Sequence, residues 1–111
     1  MWVWRADGSW VAVHPSGTPP RPRTLHTATR SGEWIAILGG DTGAPSADGG
    51  LRVHLLHVGF GKVDPSEWRW RSMAPRGESP PHRFGHQAAL AGSASLLLVG
   101  GLRWGQGLRL G

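Results

Sequence analysis

The sequence contains no cysteine, so no disulfide framework can brace it and no thiolate can act as nucleophile or metal ligand. Asparagine is absent too, which removes any N-glycosylation acceptor. Long apolar runs are missing: the longest, such as Trp34 to Leu38 and Leu96 to Val99, fall far short of the roughly 20 residues a membrane helix needs. No membrane partner is expected. The opening MWVWRADGSW lacks a basic segment followed by about 7 to 15 apolar residues, so no secretory leader is read there. A cytoplasmic or nuclear location is the expectation. Nor does any segment keep a sustained helical period.

What is present is basic, glycine-rich and proline-rich. The 111 residues leave room for one small domain, with a formal charge of +5, 18 glycines and 9 prolines. Of the 12 basic side chains all but Lys62 are arginine, and they are spread along the chain. Spread charge of this kind reads as diffuse bias more readily than as a dedicated basic patch. Nucleic acid or another polyanion is therefore the alternative partner and not the expected one.

The chain writes one pattern twice. RPRTLHTATRSGEWIAILGG at 21 to 40 returns as HRFGHQAALAGSASLLLVGG at 82 to 101. Trp10 matches Trp70, Gly17 matches Gly77, Pro20 matches Pro80, Arg23 matches Arg83 and His26 matches His86, all 60 residues apart. After one extra residue, Gly39-Gly40 matches Gly100-Gly101. A fixed period is the mark of a repeat architecture. The local pattern is β: short apolar or alternating runs broken by Gly, Pro, Ser and Asp, predicting strands near 2–5, 10–14, 24–30, 34–38, 51–58, 68–72, 85–91 and 95–99. Asp7-Gly8 predicts a tight hairpin between the first two. The tracts HPSGTPPRPR and APRGESPPHR cannot donate into a ladder and read as connections between sheets.

The order Trp, Gly, Pro, Pro-x-Arg-x-x-His-x-Ala, short turn, apolar strand, Gly-Gly resembles the kelch motif. The resemblance implies an all-β fold of antiparallel four-stranded propeller blades, one full and two half. Residues 1–14 would be the outer half of one blade, 15–72 a complete blade and 73–111 the start of the next. It also implies structural roles for Trp10, Arg23, His26, Gly39, Gly40, Trp70, Arg83, His86, Gly100 and Gly101. Two departures stand out: kelch repeats often carry a tyrosine before the tryptophan, and this chain has none; its unit also exceeds the usual length of about 40 to 50 residues. The family's enzymatic branch resembles copper radical oxidases, which need a cross-linked Tyr–Cys pair. With neither residue present, that activity is excluded.

Other chemistry finds no support in the pattern. His54 and His57 lie three apart on a predicted strand and point to opposite faces, and no carboxylate or cysteine stands at ligand spacing, so no metal site is expected. GFGK at 59–62 lacks the spacing of a phosphate loop, and GGLRWGQGLRLG at 100–111 has no helix after it. No Gly-x-Ser-x-Gly elbow occurs. No catalytic residue and no cofactor is expected.

Strand direction in an antiparallel blade sends three connections to one rim, which would gather Arg21, Arg23, Asp41, Asp48, Arg76, Glu78, His82 and Arg83. Exposed loops on a rigid scaffold commonly carry recognition. Arg23 and Arg83, being matched by the repeat, read as structural, leaving Arg21, Arg76 and His82 as the contact candidates. The expected function is a non-enzymatic protein-interaction module, as in kelch proteins that act as scaffolds or ubiquitin-ligase substrate receptors. Two repeats cannot close a ring. The expectations are therefore a piece of a larger propeller without function of its own, or a homo-oligomer in which three copies complete six blades.

Overall fold

In the computed structural model, which describes residues 1–44, 50–61, 64–74, 76–93 and 95–103, the first reversal is the Asp7-Gly8 turn. Strand β1 (Trp2–Trp4) pairs antiparallel with β2 (Trp10–Ala12). The Ser9 backbone N–H and hydroxyl both donate to Asp7 Oδ1, at 2.9 and 2.6 Å, so the aspartate fixes the turn through its own side chain.

A four-stranded antiparallel sheet follows in the order β3 (Thr27–Ser31), β4 (Trp34–Leu38), β5 (Val53–His57) and β6 (Arg69–Met73). β-Branched and apolar residues dominate β4, which is flanked on both sides and carries the buried Ala36 and Leu38. Between β5 and β6 a short 3-10 turn, Pro65–Glu67, is capped by Asp64, whose carboxylate accepts from Ser66 N at 3.0 Å. A last two-stranded sheet pairs β7 (Gln87–Ala91) with β8 (Ser95–Val99). The described residues thus form all-β structure: one complete blade with a half blade on each side. No helix among them is long and apolar enough to cross a membrane.

Each strand lies within two or three residues of its expected span, and the late starts of the two inner strands share a cause. The inner strand, expected from about residue 24, begins at Thr27 because Leu25 adopts a positive φ of 58°. Thr24, just before it, makes an isolated bridge to Asp41 instead. The next repeat does the same: Gly85 has φ 69°, Phe84 bridges Leu102, and β7 begins at Gln87.

The buried apolar side chains among the described residues are Val13, Ala36, Leu38, Leu51, Leu56 and Val58. Full burial of a Leu or Val contributes about 1.5–3 kcal/mol, so this core is modest for its length. Val3 and Val11, cross-strand partners in the first hairpin, are half-buried, while Trp2, Trp4 and Trp10 on its other face are exposed. Inner strand β3 lies against inner strand β7, which brings the complete blade and the following half blade into contact.

Candidate interaction rim

The register of the complete blade fixes which loops share an edge. Thr27, Leu38, Val53 and Met73 line up at one end of the sheet, and Ser31, Trp34, His57 and Arg69 at the other. The connections before β3, between β4 and β5, and after β6 therefore emerge together. Asp48, expected on this rim, lies outside the described residues, as do Lys62 and residues 104–111.

Two arginines are built into this edge. Arg23 donates from Nη1 to the Gly39 carbonyl at 2.9 Å and from Nε to the Arg21 carbonyl at 3.0 Å. Arg83 repeats the arrangement one blade on, reaching the Gly100 carbonyl at 3.1 Å and the Pro81 carbonyl at 3.3 Å. Each guanidinium ties the loop leading into an inner strand to the glycine ending the second strand. The second glycine of each pair meets that loop closely: a Cβ on Gly40 would lie 2.9 Å from the Thr24 carbonyl oxygen, and one on Gly101 would lie 2.9 Å from that of Phe84. No side chain fits there.

The first glycine serves the junction between blades. A Cβ on Gly39 would lie 2.5 Å from both the Arg83 carbonyl oxygen and His86 Cε1. Around it, Gly40 N–H donates to Arg83 O at 2.9 Å, Gly85 N–H to Leu25 O at 2.9 Å and Leu51 N–H to Pro80 O at 3.1 Å. His82 Nε2 lies 2.7 Å from the Gly40 carbonyl, and since a carbonyl only accepts, that nitrogen carries the proton. His82 is half-buried and holds its loop to the neighbouring blade.

His86 is the buried polar residue of the junction, 4% exposed, with Nε2 2.9 Å from Thr27 Oγ1 and a buried Nδ1 that has no partner. A hydroxyl beside an imidazole invites a nucleophile–base reading, but among the described residues no carboxylate pairs with this buried ring. Burial, and then the neighbouring Arg83, His82 and His26, push its pKa below the ordinary 6.5. Its repeat mate His26 is exposed. The difference lies in cover: His86 packs against Gly39 and Thr27 of the complete blade.

Arg21 and Arg76 are exposed, and neither side chain makes a hydrogen bond or ion pair to a described residue. Asp41 is half-buried and accepts from Gly43 N at 2.8 Å, and Glu78 is exposed. Arg52 belongs to this edge as well. The expected strand span absorbed it, but β5 begins one residue later, and its Nη1 reaches Ser72 Oγ at 3.4 Å. His54 beside it has its pKa lowered, first by burial and then by Arg23 and Arg52. His57 faces the opposite edge, with Trp34 edge-on at 4.6 Å and Glu33 Oε1 at 3.8 Å. Trp70 is half-buried and Trp10 exposed, so the matched tryptophans differ in cover.

No family model and no solved structure matches the chain. Curated relatives do. It is 36% identical over 97 residues to the serine/threonine-protein phosphatase BSL2 of Arabidopsis thaliana, covering 86% of this chain and 9% of that protein. It is 33% identical over 97 residues to the Rab9 effector protein with kelch motifs of Gallus gallus, covering 86% of this chain and 24% of the relative. The corresponding Mus musculus protein is 28% identical over the same length, with 23% of it covered. The chain therefore spans less than a quarter of the length of these relatives.

Proposed function

Because the chain belongs to the kelch-repeat β-propeller family, we propose that it works as a non-enzymatic module that binds another protein through the loop rim. The observation that carries this reading is the division of labour among the rim arginines. Arg23 and Arg83 are spent on backbone carbonyls, while Arg21 and Arg76 project from loops stitched to two adjacent blades with no partner among the described residues. Rigid presentation lowers the ordering cost of binding, and arginine is enriched in protein interfaces. His82, on the same rim, fixes the path of the loop that also carries Arg76 and completes the proposed contact set with Arg21 and Arg76.

The test compares the proteins retained by the wild-type chain with those retained by an Arg21→Glu/Arg76→Glu variant. A Glu67→Arg change on the opposite edge serves as control. Binding through the rim predicts specific losses with the first variant only, at unchanged thermal stability. Equal retention by all three proteins would refute it. A fluorescent oligonucleotide titrated at several salt concentrations separates the polyanion alternative, which requires affinity falling steeply with salt.

A further inference from the structure

The joint between the complete blade and the strands that follow it closes on a ring that can take up a proton but has no place for one. His86 stands at the entry to β7 with 4% of its surface exposed. A Cβ on Gly39 would lie 2.5 Å from its Cε1, and one on Gly101 would lie 3.1 Å from its Cβ. Nε2 is 2.9 Å from Thr27 Oγ1, while Nδ1 is buried with no partner among the described residues. A neutral imidazole carries one N–H, whereas an imidazolium carries two. Protonation would therefore leave a buried, charged donor with only one acceptor for its two N–H groups, a heavier penalty than a neutral group incurs.

The surroundings add to that penalty. The titratable groups acting on the ring are all basic: Arg83 and His82 from the loop leading into β7, and His26 from the loop leading into β3. Arg23, in the same loop as His26, donates to the carbonyl of Gly39, the residue that packs on the ring. β3 contributes Thr27, and the ends of β4 and β8 contribute the glycines at 39 and 101. Asp41, which follows the Gly39-Gly40 pair, accepts instead from Gly43 N–H at 2.8 Å. A buried charge is costly unless paired, and among the described residues no carboxylate pairs with this one. Burial first, then Arg83, His82 and His26, lower the ring's pKa, so the closed joint resists a proton that an opened joint would accept.

The ring also sits among the bonds that join the blades. Gly40 N–H donates to Arg83 O, Gly85 N–H to Leu25 O, and His82 Nε2–H to Gly40 O, so residues 82, 83 and 85 on its own loop carry the joint. Within each blade the strands are held by their own ladders. The joint can part without either sheet unfolding.

We propose that His86 is an acid-operated latch: protonation of its ring parts the two blades where Gly39 meets His86, leaves each sheet intact and loosens the rim loops. Release of a rim-bound protein in mild acid is the consequence for recognition, and that part alone rests on the rim reading above. The direction follows from the two states of the ring. Above about pH 6.5 it is neutral in both, and opening does not depend on pH. Below that, until the lower value of the closed joint is passed, each pH unit favours the open form by up to about tenfold.

Amide hydrogen exchange on the full chain between about pH 7.5 and 5 tests this without any partner, each rate being divided by that of an unstructured chain at the same pH. Protection at Gly40 and Gly85 should be constant above about pH 6.5 and fall by up to about tenfold per unit below it, while Ala36 in β4 and Leu56 in β5 keep theirs. His86→Gln, whose side chain takes up no proton, should abolish the fall, and His54→Gln should retain it. Should His86→Gln fail to fold, the wild type still decides, because the NMR titration of the His86 ring must share its midpoint with the loss of protection. Protection at Gly40 and Gly85 that ignores pH, that falls in step with Leu56, that falls as steeply in His86→Gln, or that falls at a midpoint apart from the ring's would overturn the proposal. If no protein binds the rim, these readouts are unaffected.

Discussion

Replacing Gly39 by alanine probes the junction between blades without touching any charged group. Two costs arise and can be separated. The backbone at Gly39 has φ 62°, where an L-residue is disfavoured by about 1–2 kcal/mol, partly offset by about 0.5–1 kcal/mol from a less flexible unfolded chain. Gly85→Ala carries the same local cost at φ 69°, with nothing within 4 Å of its Cβ, and is the control. Gly39→Ala adds contacts at 2.5 Å with the Arg83 carbonyl and the His86 ring. A backbone carbonyl held by the Gly40 N–H cannot retreat without opening the junction. Overpacking of this kind costs about 1–3 kcal/mol, and a lost hydrogen bond about 0.5–1.5 kcal/mol more. Gly39→Ala should therefore be less stable than Gly85→Ala by about 2–4 kcal/mol, a large share of a typical 5–15 kcal/mol total. Urea unfolding followed by tryptophan fluorescence measures both. Equal midpoints and slopes would show that the blades do not meet at Gly39, and the junction described above would be wrong.

Further expectations follow from single residues. Leu25 holds φ 58° while its repeat mate is Gly85, and its side chain is 58% exposed, so Leu25→Gly relieves strain at little cost in burial and should raise the urea midpoint. A lower midpoint would contradict this. Arg23→Ala forfeits two bonds to carbonyls and should destabilise by about 1.5–3 kcal/mol, whereas Arg21→Ala should stay within about 0.5 kcal/mol in the same assay; equal effects would undo the distinction between clamp and contact. His86 and His54 both have folded pKa values below 6.5, so as pH falls through about 6.5 the unfolded chain takes up protons first. Stability should be flat above that pH and decline below it until the folded values are passed. Melting temperature against pH should show this fall, weakened in His86→Gln, and a rise towards acid would refute it.

The sequence announces the blade at the level of strands because turn residues and apolar runs recur at a fixed offset. Asp7-Gly8, Ser31-Gly32 and Gly92 all mark hairpins that form. Strand starts are less legible. A positive φ at Leu25 has no signature in a leucine, and only its glycine mate at position 85 hints at it. The repeat also groups His26 with His86, but burial depends on which strands lie alongside, and that is decided by neighbours far along the chain. Arg52 is not marked by the pattern, because one residue decides whether it belongs to a strand or to its rim. The carbonyl partners of Arg23, Arg83 and His82 are main-chain atoms, which carry no residue identity for a pattern to show.

Rim loops stitched to two adjacent blades are held rigidly. Residue-resolved amide hydrogen exchange reads this directly at Gly40 and Gly85, whose N–H groups lie in loops yet donate across the junction to Arg83 and Leu25. Both should exchange slowly, alongside the amides of β4 and at least about 100-fold below the rate of an unstructured chain. Exchange at those two glycines as fast as in a free loop, with β4 still protected, would mean that the blades are not joined and that the rim is no single surface.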